Sequence, residues 1–371
     1  MTNDNGDARL ILRGLYISIV LLIIGAALVL IINSTLDAPS RTRVGAVFSG
    51  KVTESGWNGA NYGGLDSACR AQDTELIICE NVPEDRTACF NAMAKLVEQN
   101  CEAVFLTSYG YANYADEMAA KYPNVKLYVS GSDSEQKEAV YYFGRMYQMR
   151  YLAGIIAGLT SRTGTIGYVA AMPNNEVNRG INAFTLGVRR IAPEAQVRVI
   201  FTGSWDNAKK EKDAVKRLAE QSADVIMYHQ NRESVPEACE AAKIDFIGMY
   251  ELNGEYTAHH LTSIMCRWSK IYSSLLRDMR MNSDDKGRVC WLGIEDDAVE
   301  LDGYSGNVSL RARTEVSMAI DELKAGKFIF SGEIYDNSGV LRCADDEVLS
   351  DRALLYGMDW FAEGVVIDEA K

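Results

Sequence analysis

The sequence predicts an α/β fold in which two doubly wound, parallel-sheet lobes follow one N-terminal transmembrane helix. Two observations carry this prediction. A charge-free apolar run stands near the N-terminus, and the rest of the chain alternates short apolar runs with amphipathic segments. With 371 residues the chain is too long for one ordinary domain and suits two lobes of roughly 100–200 residues each.

The apolar run extends from Leu15 to Ile32. As a helix, these about 18 residues rise about 27 Å, close to the thickness of a bilayer core. The residues that follow, Asn33 to Pro39, make a poor signal-peptidase site, and no cysteine lies near for lipid attachment. We therefore expect an uncleaved anchor, with a cleaved secretory signal as the alternative, and an exported body in either case. The expected divisions are a cytoplasmic tail (1–14), the anchor (15–33), a linker (34–42) and a two-lobed domain (43–371).

The body begins with a buried strand, Val44 to Phe48, that ends in a Ser49-Gly50 turn. Further short apolar runs are typical of strands covered on both faces; they span 74–79, 103–106, 126–129, 165–169, 196–201, 224–228 and 246–250. Amphipathic segments between them predict helices at 91–99, 111–121, 147–159, 180–190, 208–222 and 234–243.

Repeated strand–helix units form parallel sheets with helices on both faces, and there are too many units here for one sheet. We expect lobe 1 to hold mainly residues 43–142 and a segment that returns after about residue 252. Lobe 2 is expected to hold mainly residues 143–251 and part of the C-terminal region. Because open parallel sheets bind ligands at the carboxyl ends of their strands, two facing sheets would form a binding cleft.

Composition and motifs exclude several function classes. A net charge of -13 and a pI of about 4.9 argue against a nucleic-acid partner. The chain lacks the phosphate-loop, H-E-x-x-H and G-x-S-x-G patterns, and its cysteines include no C-x-x-C pair. We therefore expect no catalytic residues, no metal site and no cofactor. The glycines between 56 and 64 do not match a dinucleotide fingerprint, because Trp57 stands where the backbone would approach a pyrophosphate. The 8 cysteines fit either disulfides or buried thiols.

Two polar loops that follow predicted strands each carry a tryptophan. Trp57 follows the first strand and Trp205 follows the strand at 196–201. Each either packs into the core or forms a platform for a ligand. Two such platforms could sandwich a flat heterocycle, and stacking a base on an aromatic ring contributes about 1–3 kcal/mol. Neighbouring carboxylates and amides would orient the ligand by hydrogen bonds. The candidate site residues in these loops are Glu54, Trp57, Asn58, Trp205, Asp206 and Asn207.

From about Arg43 to Val366 the body resembles the basic membrane protein (BMP) family of ABC-transporter solute-binding proteins, whose known members include purine nucleoside receptors. The matching stretches are Gly56 to Asn58, Thr107 to Tyr111, Tyr142 to Arg145, Tyr151 to Gly158, Gly167 to Pro173, Arg179 to Gly187 and Met358 to Val365.

This resemblance implies a type I periplasmic-binding fold with a ligand between the lobes. An acid and an aromatic of the family's first loop fall on Glu54 and Trp57, and an aromatic that stacks on the other face of the ligand falls on Trp205. The chain departs from the family pattern at several positions. Glu54 stands where Asp is frequent, Asn207-Ala208 replaces Asp-Pro, and 229–231 reads His-Gln-Asn for His-Thr-Asp. The region that often supplies a ribose-binding acid reads Gly-Met-Tyr-Glu at 248–251. Asn231 and Glu251 complete the candidate ligand-binding set.

The function implied by the resemblance is that of a membrane-tethered, extracytoplasmic solute-binding protein of an ABC importer. Its expected ligand is a purine nucleoside or nucleobase, and its expected partners are an ABC permease and its ATPase. The expected location is the cell membrane, with a single pass and the binding domain outside. The alternative is a ligand-sensing receptor that acts through a separate signalling partner. An enzyme is not expected, because no nucleophile–base pair and no metal set is found.

Overall fold

The computed structural model describes residues 13–28, 41–53, 56–131, 134–231, 233–250, 252, 258–283 and 285–368. The chain divides into two units, Met1–Thr42 and Arg43–Lys371. In the first unit, residues 13–28 form helix α1, whose large apolar side chains are mostly exposed. Residues 29–33 of the expected anchor lie outside the described residues. Among the helices that the structure describes, none is both long and apolar enough to span a bilayer.

The second unit alternates strands and helices. Its strands are β1 (Arg43–Val47), β2 (Glu75–Cys79), β3 (Ala103–Leu106), β4 (Lys126–Ser130), β5 (Val140–Gly144), β6 (Thr165–Ala170), β7 (Gln196–Phe201), β8 (Val225–His229), β9 (Asp245–Met249), β10 (His260–Cys266), β11 (Val289–Leu292), β12 (Val299–Leu301), β13 (Ile334–Tyr335), β14 (Leu341–Cys343) and β15 (Val365–Asp368). Its α-helices are α2 (Trp57–Ala71), α3 (Arg86–Glu98), α4 (Ala112–Lys121), α5 (Met146–Thr160), α6 (Asn175–Ile191), α7 (Ala208–Glu220), α8 (Ser234–Ala242), α9 (Trp268–Met281), α10 (Leu310–Lys324) and α11 (Asp351–Tyr356).

The strands form two large sheets, one in each lobe. The lobe 1 sheet has the order β11-β5-β4-β3-β1-β2, and all of its pairs are parallel. The lobe 2 sheet has the order β12-β10-β9-β8-β6-β7-β15 and is parallel except at its β12 edge. A small antiparallel pair, β13-β14, stands apart from both. The predicted α/β fold with two parallel-sheet lobes is confirmed.

Along the described chain, the backbone passes between the sheets after β5, after β10 and after β11. These passages are bonded to one another. The Arg145 N–H donates to the Leu292 oxygen at 2.7 Å, and the Arg267 N–H donates to the Ala298 oxygen at 2.8 Å. Connections of this kind are where two lobes can bend against each other, since a few residues at element ends absorb the change in backbone angles.

The lobe 1 sheet is covered on both faces, which explains why its strands are apolar throughout. Phe105 of β3 packs in one core cluster, whereas its neighbours Val104 and Leu106 pack in another. Successive side chains of a strand point to opposite faces, so each face has its own apolar layer. In lobe 2, α5 and α6 lie in close contact. An added Cβ at Gly154 would lie 2.1 Å from the Phe184 oxygen, so this approach requires glycine.

The Gly-rich segment after β1 differs from the sequence expectation. It was expected to be a loop, but helix α2 begins at Trp57 and includes the glycines at 59, 63 and 64. The sequence did not predict this helix because its glycines lower the helix propensity and interrupt the apolar periodicity. Packing provides the compensation: an added Cβ at Gly64 would lie 2.3 Å from Cβ of Trp268, so α2 lies directly against the start of α9.

The cysteines, all within the described residues, are free thiols. Seven are buried and Cys79 is half-buried. Burial raises the pKa of the Cys89 and Cys101 thiols to about 11. Of the two interpretations left open by the sequence, the structure has the buried thiols.

Candidate functional site

A cavity of about 850 Å³ lies between the two lobes. Small-molecule sites typically measure roughly 300–1,000 Å³. Lobe 1 lines the cavity with Ser49, Gly50, Thr53, Trp57, Asn58, Glu84, Ser108 and Tyr109. Lobe 2 lines it with Glu176, Trp205, Asp206, His229, Asn231, Glu233, Ser234, Glu237 and Met249. Most of these residues follow the carboxyl end of a strand, where open parallel sheets bind their ligands.

Trp57, the first residue of α2, is half-buried in the lobe 1 wall. Its indole N–H donates to the Thr107 oxygen at 2.6 Å. Its ring stacks on Phe143 with 5.8 Å between ring centroids and packs edge-on against Trp268 at 5.2 Å. Trp57 therefore packs on the core and also lines the cavity, so the two alternatives that the sequence left open for it, core residue and ligand platform, are compatible.

Glu84, like Trp57, belongs to the lobe 1 wall of the cavity. Its carboxylate accepts a hydrogen bond from the Ser108 hydroxyl and another from the Gly110 N–H at 2.9 Å. These bonds join the loop before α3 to the loop after β3. The carboxylate therefore has a fixed position in the cavity wall.

Trp205 is half-buried in the lobe 2 wall and packs edge-on against His229, with 5.4 Å between ring centroids. The backbone holds this loop in place, because the Asn231 N–H donates to the Trp205 oxygen at 2.9 Å. The Gln230 amide also donates to the Thr202 hydroxyl at 2.9 Å. The loop that follows β7 is thus tied to the end of β8.

His229 is only 4% exposed, and its Nε2 lies 3.6 Å from the Glu176 Oε1. Burial, with the nearby Arg150 and Arg179 charges, holds the pKa of His229 well below its usual value, so the ring is neutral. The Nδ1 atom of this ring is buried and has no hydrogen-bond partner among the described residues.

The two lobes meet at the rim of the cavity. Gly56 of lobe 1 has φ 83° and ψ -142°, a backbone conformation that glycine adopts readily and other residues avoid. An added Cβ there would lie 3.0 Å from the backbone oxygen of Asn231 in lobe 2. Gly56 is therefore required for its own backbone angles and for the close approach of the lobes.

Five of the predicted site residues line this cavity: Trp57, Asn58, Trp205, Asp206 and Asn231. Asn207 is not in the lining. Its side-chain oxygen instead accepts from the Lys210 N–H at 3.1 Å and caps helix α7. Glu54 and Glu251 lie outside the described residues.

Sequence reasoning missed several lining residues, notably Glu84, Tyr109, Glu176, His229 and Glu233. Tyr109 and His229 follow strands that the sequence predicted. Since open parallel sheets bind ligands at the carboxyl ends of their strands, both residues could have been predicted as site candidates. Glu84 and Glu233 lie just before α3 and α8, and Glu176 lies in the first turn of α6. Acidic residues are common at helix starts, so they gave no signal. No group of three or more His, Cys, Asp or Glu in the described chain could hold a metal ion.

A family model described as the PnrA-like ABC transporter substrate-binding protein (Bmp) matches residues 41–338. The chain belongs to this family. The chain is 26% identical to a purine-binding protein of Brucella abortus over 341 residues, which covers 90% of this chain and 95% of the relative. It is also 26% identical to a putative ABC transporter glucose-binding protein of Haloferax volcanii over 327 residues, or 86% of this chain and 79% of the relative.

Solved structures support the fold of this Bmp-family chain. An ABC transporter solute-binding protein of Conexibacter woesei superposes with a TM-score of 0.63 at 18% identity. The match covers 77% of this chain and 97% of that protein. At this identity the likeness shows the two-lobed architecture alone.

Proposed function

We propose that this Bmp-family protein captures a purine nucleoside or nucleobase between its lobes and delivers it to an ABC permease and ATPase. The observation that carries the proposal is that each lobe contributes one half-buried tryptophan to the same cavity, Trp57 from one side and Trp205 from the other. A flat heterocycle placed between them would gain stacking from both lobes, about 1–3 kcal/mol for each aromatic contact.

The rest of the lining suits a sugar attached to such a base. Carboxylates accept hydrogen bonds from ribose hydroxyls or from exocyclic amines, and Glu176, Asp206 and Glu233 line the lobe 2 wall. A nucleoside joins a base to a sugar, and the two relatives are named for a purine and for the sugar glucose. A free hexose would use the carboxylates but only part of the aromatic surface.

We further propose that the N-terminal segment tethers the protein to the membrane, with the binding lobes outside. The charge-free run from Leu15 to Ile32 and the exposed apolar side chains of α1 support this. The proposal includes release of the ligand unchanged, because solute binding is the function of the family and transport requires an intact ligand.

The test begins with the full-length protein purified in detergent. Mass spectrometry of the small molecule released on denaturation identifies any bound ligand. Calorimetric titrations then compare adenosine, guanosine, adenine and glucose on protein that was unfolded, freed of ligand and refolded. We expect one nucleoside or base to bind per chain and to be recovered intact. Tight binding of glucose with no purine binding, or turnover of a nucleoside, would refute the proposal.

A further inference from the structure

Helix α11 is bonded to lobe 2. The Asn178 amide of α6 donates to the Met358 oxygen at 2.8 Å, and the Met358 N–H donates to the Asn175 side-chain oxygen at 2.7 Å. Arg179, also on α6, is buried and donates to the Leu354 oxygen at 2.7 Å. The chain then continues into β15 of the lobe 2 sheet. These bonds hold both the helix and the residues after it, so α11 moves with lobe 2.

Two ion pairs join α11 to lobe 1. Asp351, the first residue of α11, accepts from both terminal nitrogens of the Arg145 guanidinium, at 2.8 and 2.6 Å. The Nε of Arg145 donates to the Trp291 oxygen of β11 at 3.0 Å, which fixes this side chain to the lobe 1 sheet. Arg352 forms the second pair, with Glu135 in the segment before β5. Both pairs therefore cross from one lobe to the other.

A second cavity, of about 400 Å³, lies between α11 and the edge of the lobe 1 sheet. Gln136 and Val289 line it from lobe 1, and Leu355 and Tyr356 line it from α11. The four ion-pair residues also belong to its lining. Open space separates the two walls here, so the ion pairs hold together two surfaces that do not share a filled apolar core. A contact of this kind can open without exposing much new apolar surface to water.

This contact is separate from the ligand cavity, because no described residue lines both cavities. It is formed in the closed arrangement, in which Gly56 of lobe 1 meets the Asn231 oxygen of lobe 2. We propose that α11 and its two ion pairs form a latch that holds the lobes closed in the absence of ligand. Rotation of the lobes about their crossing segments would carry α11 away from lobe 1 and break the pairs. The proposal goes beyond the proposed function, because it concerns the protein before any ligand binds.

The two pairs of the latch differ in strength. The Arg352 and Glu135 side chains are 71% and 49% exposed. Exposed pairs contribute little, so loss of this one should lower the ratio of closed to open molecules by about 1.5- to 5-fold. The Arg145 side chain is 17% exposed, and its bond to Asp351 is bidentate. Loss of the Asp351 charge leaves a largely buried guanidinium poorly compensated and should lower the ratio by about tenfold or more.

The experiment measures the distance between the lobes by single-molecule fluorescence energy transfer, on the refolded, ligand-free full-length protein in detergent. The dyes replace Lys95 of α3 and Lys216 of α7, which are exposed on lobe 1 and lobe 2. They are attached through an encoded non-natural residue, since the chain has 8 cysteines of its own. We expect the parent to be mainly closed, and Arg352→Gln and Asp351→Asn to lower the closed-to-open ratio by the factors above. Glu135→Arg combined with Arg352→Glu should restore it.

The matched control is Lys286→Gln. Lys286 pairs with Glu138 at 2.6 Å, and the two side chains are 59% and 41% exposed, much like the outer pair of the latch. Both belong to lobe 1, so this variant loses an equivalent ion pair and charge outside the latch and should leave the ratio unchanged.

Three results would overturn the proposal: a ligand-free parent that is mainly open, an equal shift of the ratio in Lys286→Gln, or an unchanged ratio in both latch variants. If Asp351→Asn does not fold, Arg352→Gln and the exchanged pair decide. The measurement contains no ligand, so its result is independent of which molecule the cleft binds.

Discussion

Gly56 offers the sharpest test of whether ligand binding requires the two lobes to meet. Its φ of 83° and the 3.0 Å distance from an added Cβ to the Asn231 oxygen are separate obstacles to any larger residue. The first obstacle belongs to lobe 1 alone. The second exists only while lobe 1 and lobe 2 are in contact at this point.

Gly56→Ala should therefore have two separable effects. The backbone conformation costs about 1–3 kcal/mol for a residue with a Cβ, which lowers the stability of the fold. Overlap with Asn231 costs about 1–3 kcal/mol more, but only when the lobes are closed. Because a ligand held by both lobes needs the closed form, its affinity should fall by about 5- to 150-fold.

Gly164→Ala is the matched control. Gly164 has φ 71°, so an alanine is strained there too, but no atom lies within 4 Å of the added Cβ. Both variants should lower the melting temperature, and only Gly56→Ala should weaken binding in calorimetry and reduce ligand-induced compaction in solution scattering. If Gly56→Ala binds as tightly as the parent, contact of the lobes at Gly56 is not required for binding. Weaker binding with normal compaction would instead indicate a displaced Trp57.

Three further outcomes are expected. Trp205→Ala and Trp57→Ala should each weaken ligand binding by about 1–3 kcal/mol in calorimetry. Trp57→Ala should also lower the melting temperature, because the ring stacks on Phe143. Unchanged affinity in either variant would show that its tryptophan does not contact the ligand. The folded-state pKa of His229 lies below its usual 6.5, so the unfolded chain binds the extra proton and stability should fall as pH drops below about 6.5, by up to about 1.4 kcal/mol per pH unit. The free energy of unfolding, measured by urea at several pH values, should fall less steeply below pH 6.5 for His229→Gln than for the parent. An equal dependence on pH would contradict the lowered pKa of His229. Protease treatment of intact cells should digest the lobes and leave a short membrane-bound N-terminal fragment, whereas a released form beginning near Asp37 would show that the segment is cleaved.

The sequence revealed most of the fold because buried parallel strands are short, apolar and separated by helices. β3 and β7 begin and end where they were expected. It failed where the pattern was weak. Helix α2 contains three glycines, one of which, Gly64, is explained only by the contact of α2 with α9. The strands β12, β13 and β14 have two or three residues each, too few for any periodicity to show.

The candidate site was partly predictable for a related reason. Trp57 and Trp205 stood out because large aromatic rings are costly to leave in polar loops, and both proved to line one cavity. Asn207 looked equally suitable, but an Asn directly before a helix is also a preferred N-cap, and the cap is the role that the structure shows. Glu176 and Glu233 gave no signal, because acidic residues near helix starts are common and only the fold places them on the cavity wall.

The same geometry connects the aromatic and the acidic parts of the cavity. A tryptophan from each lobe makes binding depend on closure but discriminates little among flat molecules, since every base has a face to stack. Most of the acids that line the cavity lie on lobe 2. Under the proposed function, a ligand on the lobe 2 wall would donate hydrogen bonds to these acids, and Trp57 would stack on it only when the lobes are closed. Closure would then provide the affinity, and the lobe 2 acids would determine which flat molecules benefit from it.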